Sequence, residues 1–329
     1  MKANIRQLIK FLPIFILLII LCIGTILFIF KRNENRIINI VFNTDKNYTE
    51  YTKVAILSAL DSKNKNSVYN IHILCVDIPQ SKEKEFKLLA NDFENVNVKT
   101  IPLNLSKLKG IGEYDVENPI TRTDLFKFFM PDIFQDLDKI LYIDGDTLIL
   151  KDLSKLYNTD ISDKYLGAVK GPYFHQKMME DKNGLYSFEK YYTYNCGVIL
   201  FNLKKLREDN IKEKLIKQKS EDNNKEFVTQ TAYNEVIPLN EIKQLSPIYN
   251  FYGSYDKRDF RIYNVKKAYL PYTLFVFSLK QFSKKAVIVH YWGQNKPWSE
   301  NNVLFADKWW YYAKRINPNW KLEKKRNNK

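Results

Sequence analysis

Cysteine and histidine are the scarce residues of this chain, three of each among 329. Cys22, Cys75 and Cys196 stand in apolar runs and at no metal-type spacing. That excludes a disulfide framework and a thiolate metal site, and makes buried free thiols their expected state. No internal repeat is present, and no low-complexity tract precedes the C-terminal tail. Disorder is excluded as well, because 45% hydrophobic and 15% aromatic residues suffice for a substantial core in one large domain or two small ones. Also missing are helix-turn-helix, zinc-finger and RNP patterns. Their absence matters because 52 Lys and Arg against 37 Asp and Glu give a formal charge of +15. Such a charge suits a membrane leaflet, a nucleic acid or a phosphorylated substrate. The missing patterns remove nucleic acid from that set, and charge alone does not choose between the other two.

From Phe11 to Phe30 the run FLPIFILLIILCIGTILFIF carries no charge. A helix of that length, rising about 1.5 Å per residue, reaches across a hydrocarbon core of about 30 Å. No small-x-small cleavage site follows, so an uncleaved, single-pass transmembrane anchor is expected rather than a signal peptide. Lys2, Arg6 and Lys10 precede the run and Lys31, Arg32 and Arg36 follow it, which leaves its orientation open. The expected organisation is a basic flank (1–10), the anchor (11–30), a charged linker (31–36), one globular domain (37–312) and a basic tail (313–329). The segment from Asp307 mixes aromatic with basic residues. It reads either as a packed helix with a solvated tail or as an attachment to an anionic membrane surface.

Within the globular part, strand-like runs alternate with helical ones, the mark of an α/β domain. RIINIVFN, YNIHILCV, VNVKTI and KILYI read as strands; TEYTKVAILSALDS, SKEKEFKLLANDF and TRTDLFKFFMPDIF read as helices between them. A parallel sheet covered by helices on both faces accounts for that order. Further on, LGAVK, CGVILF and AVIVH read as strands. FNLKKLREDNIKEKLIKQK and the stretch around EFVTQTAYNEVI read as helices.

The candidate chemistry collects at strand ends. In LYIDGDTLIL, Asp144 and Asp146 flank Gly145 at the carboxyl end of a buried strand, where open α/β sheets place ligands. A DxD triplet by itself is as well explained by a turn. Two carboxylates beside an apolar strand with no evident Arg or Lys partner favour a divalent cation. Asp45 and Asn47, just past the first strand, belong to the same rim and read either as an Asx turn or as short polar groups recognising a nucleotide. His290 ends the strand AVIVH. It reads as a structural histidine or as a third metal ligand, and an imidazole beside two carboxylates tilts the choice towards Mn²⁺, with Mg²⁺ as the alternative. Gly293 permits close backbone approach, and Lys296 offers charge to a diphosphate. Asn195, before CGVILF, and Gln230, in a helical stretch, are equally well read as structural amides.

In order and spacing, FNTDKNY, LYIDGDTLIL, YNCGVILFNLKKLR and HYWGQNKPW resemble the retaining glycosyltransferases of family 8, over about Arg36 to Tyr312. The resemblance implies a GT-A fold, a Rossmann-like mixed sheet flanked by helices. It also implies a UDP-sugar donor and Mn²⁺ held between the donor diphosphate and the protein. By position it implies Asp144, Asp146 and His290 as metal ligands, and Asp45, Asn47 and Tyr48 as nucleoside contacts. Gly145, Gly293 and Lys296 would contact the diphosphate, and Asn195 and Gln230 the donor sugar and reaction centre. Two positions depart from the family. Lys127 stands where an Arg is common, and Thr229 replaces an Asp just before the active-site Gln. Both positions face the donor sugar in the family, and lysine lacks the planar fork of arginine. The expected activity is metal-dependent, retaining transfer of a hexose, glucose or galactose, to a glycan or lipid-linked lipopolysaccharide acceptor. A uronic acid or N-acetylated donor is the alternative, and so is an inactive UDP-sugar-binding membrane protein. The expected location is the bacterial inner membrane with the domain on the cytoplasmic side, where nucleotide sugars are made.

Overall fold

The apolar runs of the globular part fold as the strands of two sheets. The computed structural model describes residues 37–108, 111, 123–171, 194–221, 228–254, 283–299 and 302–322, together with Ile16, Leu18 and Ile19. The chain divides into two units, Met1–Arg36 and Ile37–Lys329. In the first unit only Ile16, Leu18 and Ile19 are described, and they are helical and exposed; the rest of the expected anchor lies outside the described residues. Among the described residues no helix is long and apolar enough to cross a membrane. A span needs close to 20 consecutive apolar helical residues, in round terms about 30 Å of helix. This corrects the expected single-pass location in the inner membrane.

Strands β1 (Ile37–Asp45), β2 (Val68–Val76) and β3 (Val96–Leu103) are parallel neighbours. They are linked by helices α1 (Thr49–Ser62) and α2 (Gln80–Leu88). The alternation along β1 explains why both faces of the sheet are covered: Ile38, Ile40 and Phe42 enter one core and Val41 the other. Next comes a 3₁₀ turn at Leu125–Phe129, followed by α3 (Met130–Ile133), where one longer helix is expected from the sequence. Pro131 supplies no N–H and sits at the start of the short helix, where none is needed.

Strand β4 (Lys139–Asp144) returns beside β1 and parallel to it, with Asn43 opposite Asp144. The three-residue β5 (Thr147–Ile149) then leaves the main sheet, and α4 (Ser154–Tyr157) leads to β6 (Leu166–Lys170). Strand β7 (Tyr194–Asn202) runs antiparallel to both β4 and β6. The main sheet is therefore mixed, which corrects the all-parallel expectation. Periodicity fixes which residues are buried, whereas strand direction depends on how the chain returns.

The helical run after β7 is broken into α5 (Leu203–Glu208) and α6 (Ile211–Glu221). Asn202 caps α5 by accepting from the Lys205 amide at 3.1 Å, and Asn210 takes φ 50° between the two helices. After α7 (Val228–Val236), β8 (Ile242–Gln244) closes the far edge against β6. The strand order is β3-β2-β1-β4-β7-β6-β8. A second sheet joins β5 to β9 (Phe251–Tyr252) and β10 (Ile288–His290) in the order β5-β10-β9. Helix α8 (Ala306–Ile316) buries Trp309 and Ala313, so the aromatics of this segment are core. Residues 323–329 of the expected basic tail lie outside the described residues. Cys75 and Cys196 are buried free thiols. Burial pushes the Cys75 thiol up to about 12. Cys22 lies outside the described residues.

Candidate active site

Two chain reversals create the site. The order of the main sheet turns at β1, with β2 on one side and β4 on the other, and such a switch point opens a crevice at the carboxyl ends of the strands. Asp45 ends β1 and Asp144 ends β4. The chain then turns at Gly145 and Asp146 into β5, which pairs antiparallel with β10 so that Thr147 faces His290. The amide of Tyr291 donates to the Asp146 carbonyl at 3.0 Å and locks this corner. In this way an aspartate at one strand end, an aspartate in the turn and a histidine at a third strand end meet. The turn requires a glycine, because a Cβ on Gly145 would stand 2.3 Å from the Thr52 hydroxyl oxygen of α1.

His290 Nε2 lies 3.1 Å from Asp146 Oδ1 and 3.6 Å from Asp144 Oδ2. One ligand atom from each of the three residues lies within 4.8 Å of the others. Ligands at about 2.0–2.2 Å from a shared ion are separated by up to about 4.4 Å, so the cluster converges on one ion-sized point.

The outer bonds favour a ligand role for His290. Its Nδ1 contacts Asn250 Oδ1 at 2.9 Å, and the Asn250 amide donates to Asn195 Oδ1 at 2.7 Å. Asn195 Oδ1 also accepts the Gly197 amide at 2.9 Å, while its own NH₂ reaches Gln230 Oε1 at 3.3 Å. Asn195 must therefore turn its oxygen towards Gly197, Asn250 must turn its oxygen towards His290, and Nδ1 must carry the proton. The lone pair of Nε2 is left facing the two carboxylates, the arrangement of a metal-binding imidazole.

The two carboxylates are held unequally. Burial raises Asp144 above the ordinary carboxylate range despite the opposing charges of Lys127 and His290. For Asp146 burial acts in the same direction, yet Lys296 and His290 prevail and hold it well below that range. An excess of negative charge thus remains at Asp144, which a divalent cation would relieve. Lys296 Nζ bonds Asp146 Oδ2 and the Tyr291 carbonyl, leaving a third N–H for an anionic ligand.

Lys127 is almost wholly buried. Its ammonium contacts Asp124, lies 3.3 Å from Asp144 Oδ1 and sits 4.6 Å from the centre of the Tyr142 ring. Burial opposes its charge, but Asp124 and Asp144 outweigh burial and raise its pKa. Tyr142 donates to Asp144 Oδ1 at 2.6 Å.

Two adjoining recesses meet at this cluster. One is lined by Asp45, Tyr48, Asp124 and the Asp144–Asp146 turn. The other is lined by Lys127, Asn195, Gln230, Trp292, Gly293 and Lys296, and shares Tyr48, Asp124, Asp144 and Asp146 with the first. Of the residues singled out from the sequence, only Asn47 lines neither recess: it is exposed, and its amide donates to Asp45 Oδ1 at 2.8 Å. Asp45 also accepts from the Tyr48 amide at 3.0 Å, so one of its oxygens builds an Asx turn while its side chain borders the recess. Gly293 takes φ +83°, a conformation that glycine adopts without strain. Sequence reasoning missed Asp124, Asn250 and Gly197. A Cβ on Gly197 would stand 2.0 Å from His290 Cε1 and 2.8 Å from Asp144 Oδ2.

A mixed sheet of this order, with a carboxylate and imidazole cluster at its switch point, defines a glycosyltransferase of the GT-A fold. The chain belongs to glycosyl transferase family 8, whose model matches residues 39–302. It is 27% identical over 282 residues to the glycosyltransferase GlyD of Streptococcus pneumoniae, covering 83% of this chain and 30% of GlyD. It is 24% identical over 293 residues to a lipopolysaccharide 1,2-glucosyltransferase of Escherichia coli, covering 84% of this chain and 78% of the relative. The galactosyltransferase LgtC, solved in complex with donor and acceptor sugar analogues, superposes with a TM-score of 0.63 at 21% identity, over 85% of this chain and 96% of LgtC.

Proposed function

We propose that this protein transfers a hexose, glucose or galactose, from a UDP-sugar to a glycan or lipopolysaccharide acceptor with retention of the α configuration. The observation that carries this reading is the convergence of Asp144, Asp146 and His290 at the switch point, with Lys296 beside them. Two carboxylates and an imidazole suit Mn²⁺ better than Mg²⁺. When bound there, the ion would supply positive charge to the departing diphosphate.

The remaining work falls to the chain's own residues. Asp45 and Tyr48 line the recess that suits the nucleoside, and Lys296 directs its third N–H towards a diphosphate oxygen, stabilising charge where the bond breaks. Asn195 holds Gln230 at the sugar side. An amide is a poor nucleophile, so Gln230 is assigned to positioning the acceptor or stabilising the oxocarbenium-like centre. Attack by the acceptor then comes from the face the diphosphate leaves, with a diphosphate oxygen taking the acceptor proton. Binding both substrates side by side supplies the orientation term.

The test is a screen of UDP-sugars for Mn²⁺-dependent hydrolysis and transfer, run with the wild type and with Asp146→Ala. The wild type is expected to turn over a neutral UDP-hexose, and the variant to lose about 10³-fold or more, the scale of a lost electrostatic stabiliser. Substantial activity of the variant with metal present would overturn the assignment.

A further inference from the structure

The departure at Thr229 is compensated from another part of the chain. The Thr229 hydroxyl donates to Asp124 Oδ2, while Asp124 Oδ1 takes the ammonium of Lys127. Asp124 lies one helical turn before Lys127 on the same segment, whereas Thr229 belongs to α7. Both are therefore fixed to one carboxylate. Asp124 also borders both recesses of the cleft. Its side chain keeps 28% of its surface exposed, against 2% for that of Lys127. A carboxylate has about four lone-pair positions; Lys127 and Thr229 occupy one on each oxygen from the protein side, so others remain towards the cleft.

The position of the cleft's charges decides what those lone pairs meet. A diphosphate belongs at Asp144, Asp146 and Lys296, and a nucleoside at Asp45 and Tyr48. A sugar beyond the diphosphate then occupies the recess of Gln230, Asn195 and Trp292, which Asp124 also lines. Lys127 is not available to a negatively charged sugar, because Asp124 and Asp144 already compensate its ammonium. We infer that Asp124 accepts hydrogen bonds from the hydroxyls of the donor sugar, restoring the carboxylate that Thr229 lacks, and that it restricts the donor to neutral sugars and rejects a uronate.

This inference rests on the UDP-sugar reading above, and the experiment separates the two. Isothermal titration and turnover are measured on the full chain with Mn²⁺ and four probes: UDP, UDP-glucose, UDP-galactose and UDP-glucuronate. The wild type is expected to bind UDP, to bind and turn over at least one of the neutral donors, and to disfavour the uronate by about 10- to 100-fold in kcat/KM. Asp124→Asn is expected to lower kcat/KM for the neutral donor by about 10- to 100-fold, the worth of a hydrogen bond to a charged acceptor. Its affinity for UDP should stay within about threefold of the wild type, since that loss is confined to the sugar. Exchanging the pair, Asp124→Thr with Thr229→Asp, returns a carboxylate to the same contact and is expected to recover part of the loss.

Wild-type kcat/KM in Asp124→Asn, or a wild-type preference for UDP-glucuronate, would overturn the role of Asp124 and leave the UDP-sugar reading intact. A wild type that binds no UDP overturns that reading and this inference with it. The wild-type donor comparison needs no variant, so it decides the question even if Asp124→Asn fails to fold.

Discussion

The geometry of the metal-type cluster depends on a residue that contributes no side chain. Gly197 follows Asn195 and Cys196 on β7 and passes directly beneath His290 and Asp144, with space for a hydrogen only. Its amide also anchors Asn195 Oδ1, the start of the chain of amides that sets the His290 tautomer. Replacing Gly197 with Ala would push a methyl group into the imidazole and the carboxylate together. The expected outcome is a loss of Mn²⁺ affinity of about 10- to 100-fold, the scale seen when the supports of metal ligands are disturbed. Titration of Mn²⁺ into the variant checks it, and an unchanged affinity would show that His290 and Asp144 are not metal ligands in this arrangement. The same scale explains which site residues are legible in a sequence. Asp144, Asp146 and His290 each terminate or follow a strongly apolar strand, so strand-end logic brings them together. Asp124 and Asn250 are short polar residues next to 3₁₀ turns, where no periodicity marks them, and Gly197 is required only because of what lies above it.

Among elements, α1 is the clearest in sequence: the run TEYTKVAILSALDS folds as one helix over Thr49–Ser62, because its apolar face supplies Ala55, Ile56, Ala59 and Leu60 to one core. Strands β1, β2 and β4 are legible for the same reason. The pieces of the second sheet are not, since β5, β9 and β10 have two or three residues each, too few for a pattern to register. Yet that small sheet carries His290 to the site and receives α8 on its outer side. Tyr51 of α1 stacks on Trp298 at 3.8 Å and on Trp320 at 5.7 Å, and Trp309 of α8 lies 5.2 Å from Trp298. These rings join the C-terminal helix to the helix that follows Tyr48. Trp309 is fully buried, so Trp309→Ala is expected to cost about 3–5 kcal/mol. Chemical denaturation measures that cost; a loss below about 1 kcal/mol would mean that α8 is not docked as described.

At the scale of the whole molecule, one buried group couples stability to pH far from the cleft. His72 lies on β2 with its ring against Phe134, centroids 5.0 Å apart, and neither ring nitrogen has a hydrogen-bond partner. Its neighbour across the ladder is Lys99 of β3. Burial, and then the charge of Lys99, push its pKa down to about 4 from an ordinary 6.5. Between those two values the unfolded chain binds a proton at His72 that the folded chain does not. Stability therefore rises with pH across that window and is lost on acidification from 6.5 towards 4, with no further loss below it. Since the imidazole is not wholly sealed from water, the loss is of the order of 1–3 kcal/mol rather than a full Born penalty. Replacing His72 with Phe keeps an aromatic ring against Phe134 and removes the titration. Denaturant unfolding at pH 4.5 and 7 should show a larger acid loss in the wild type than in His72→Phe, and equal losses would exclude His72 as the origin. The difference between the two proteins isolates this group from Asp144, whose carboxyl also takes up protons on acidification but is common to both.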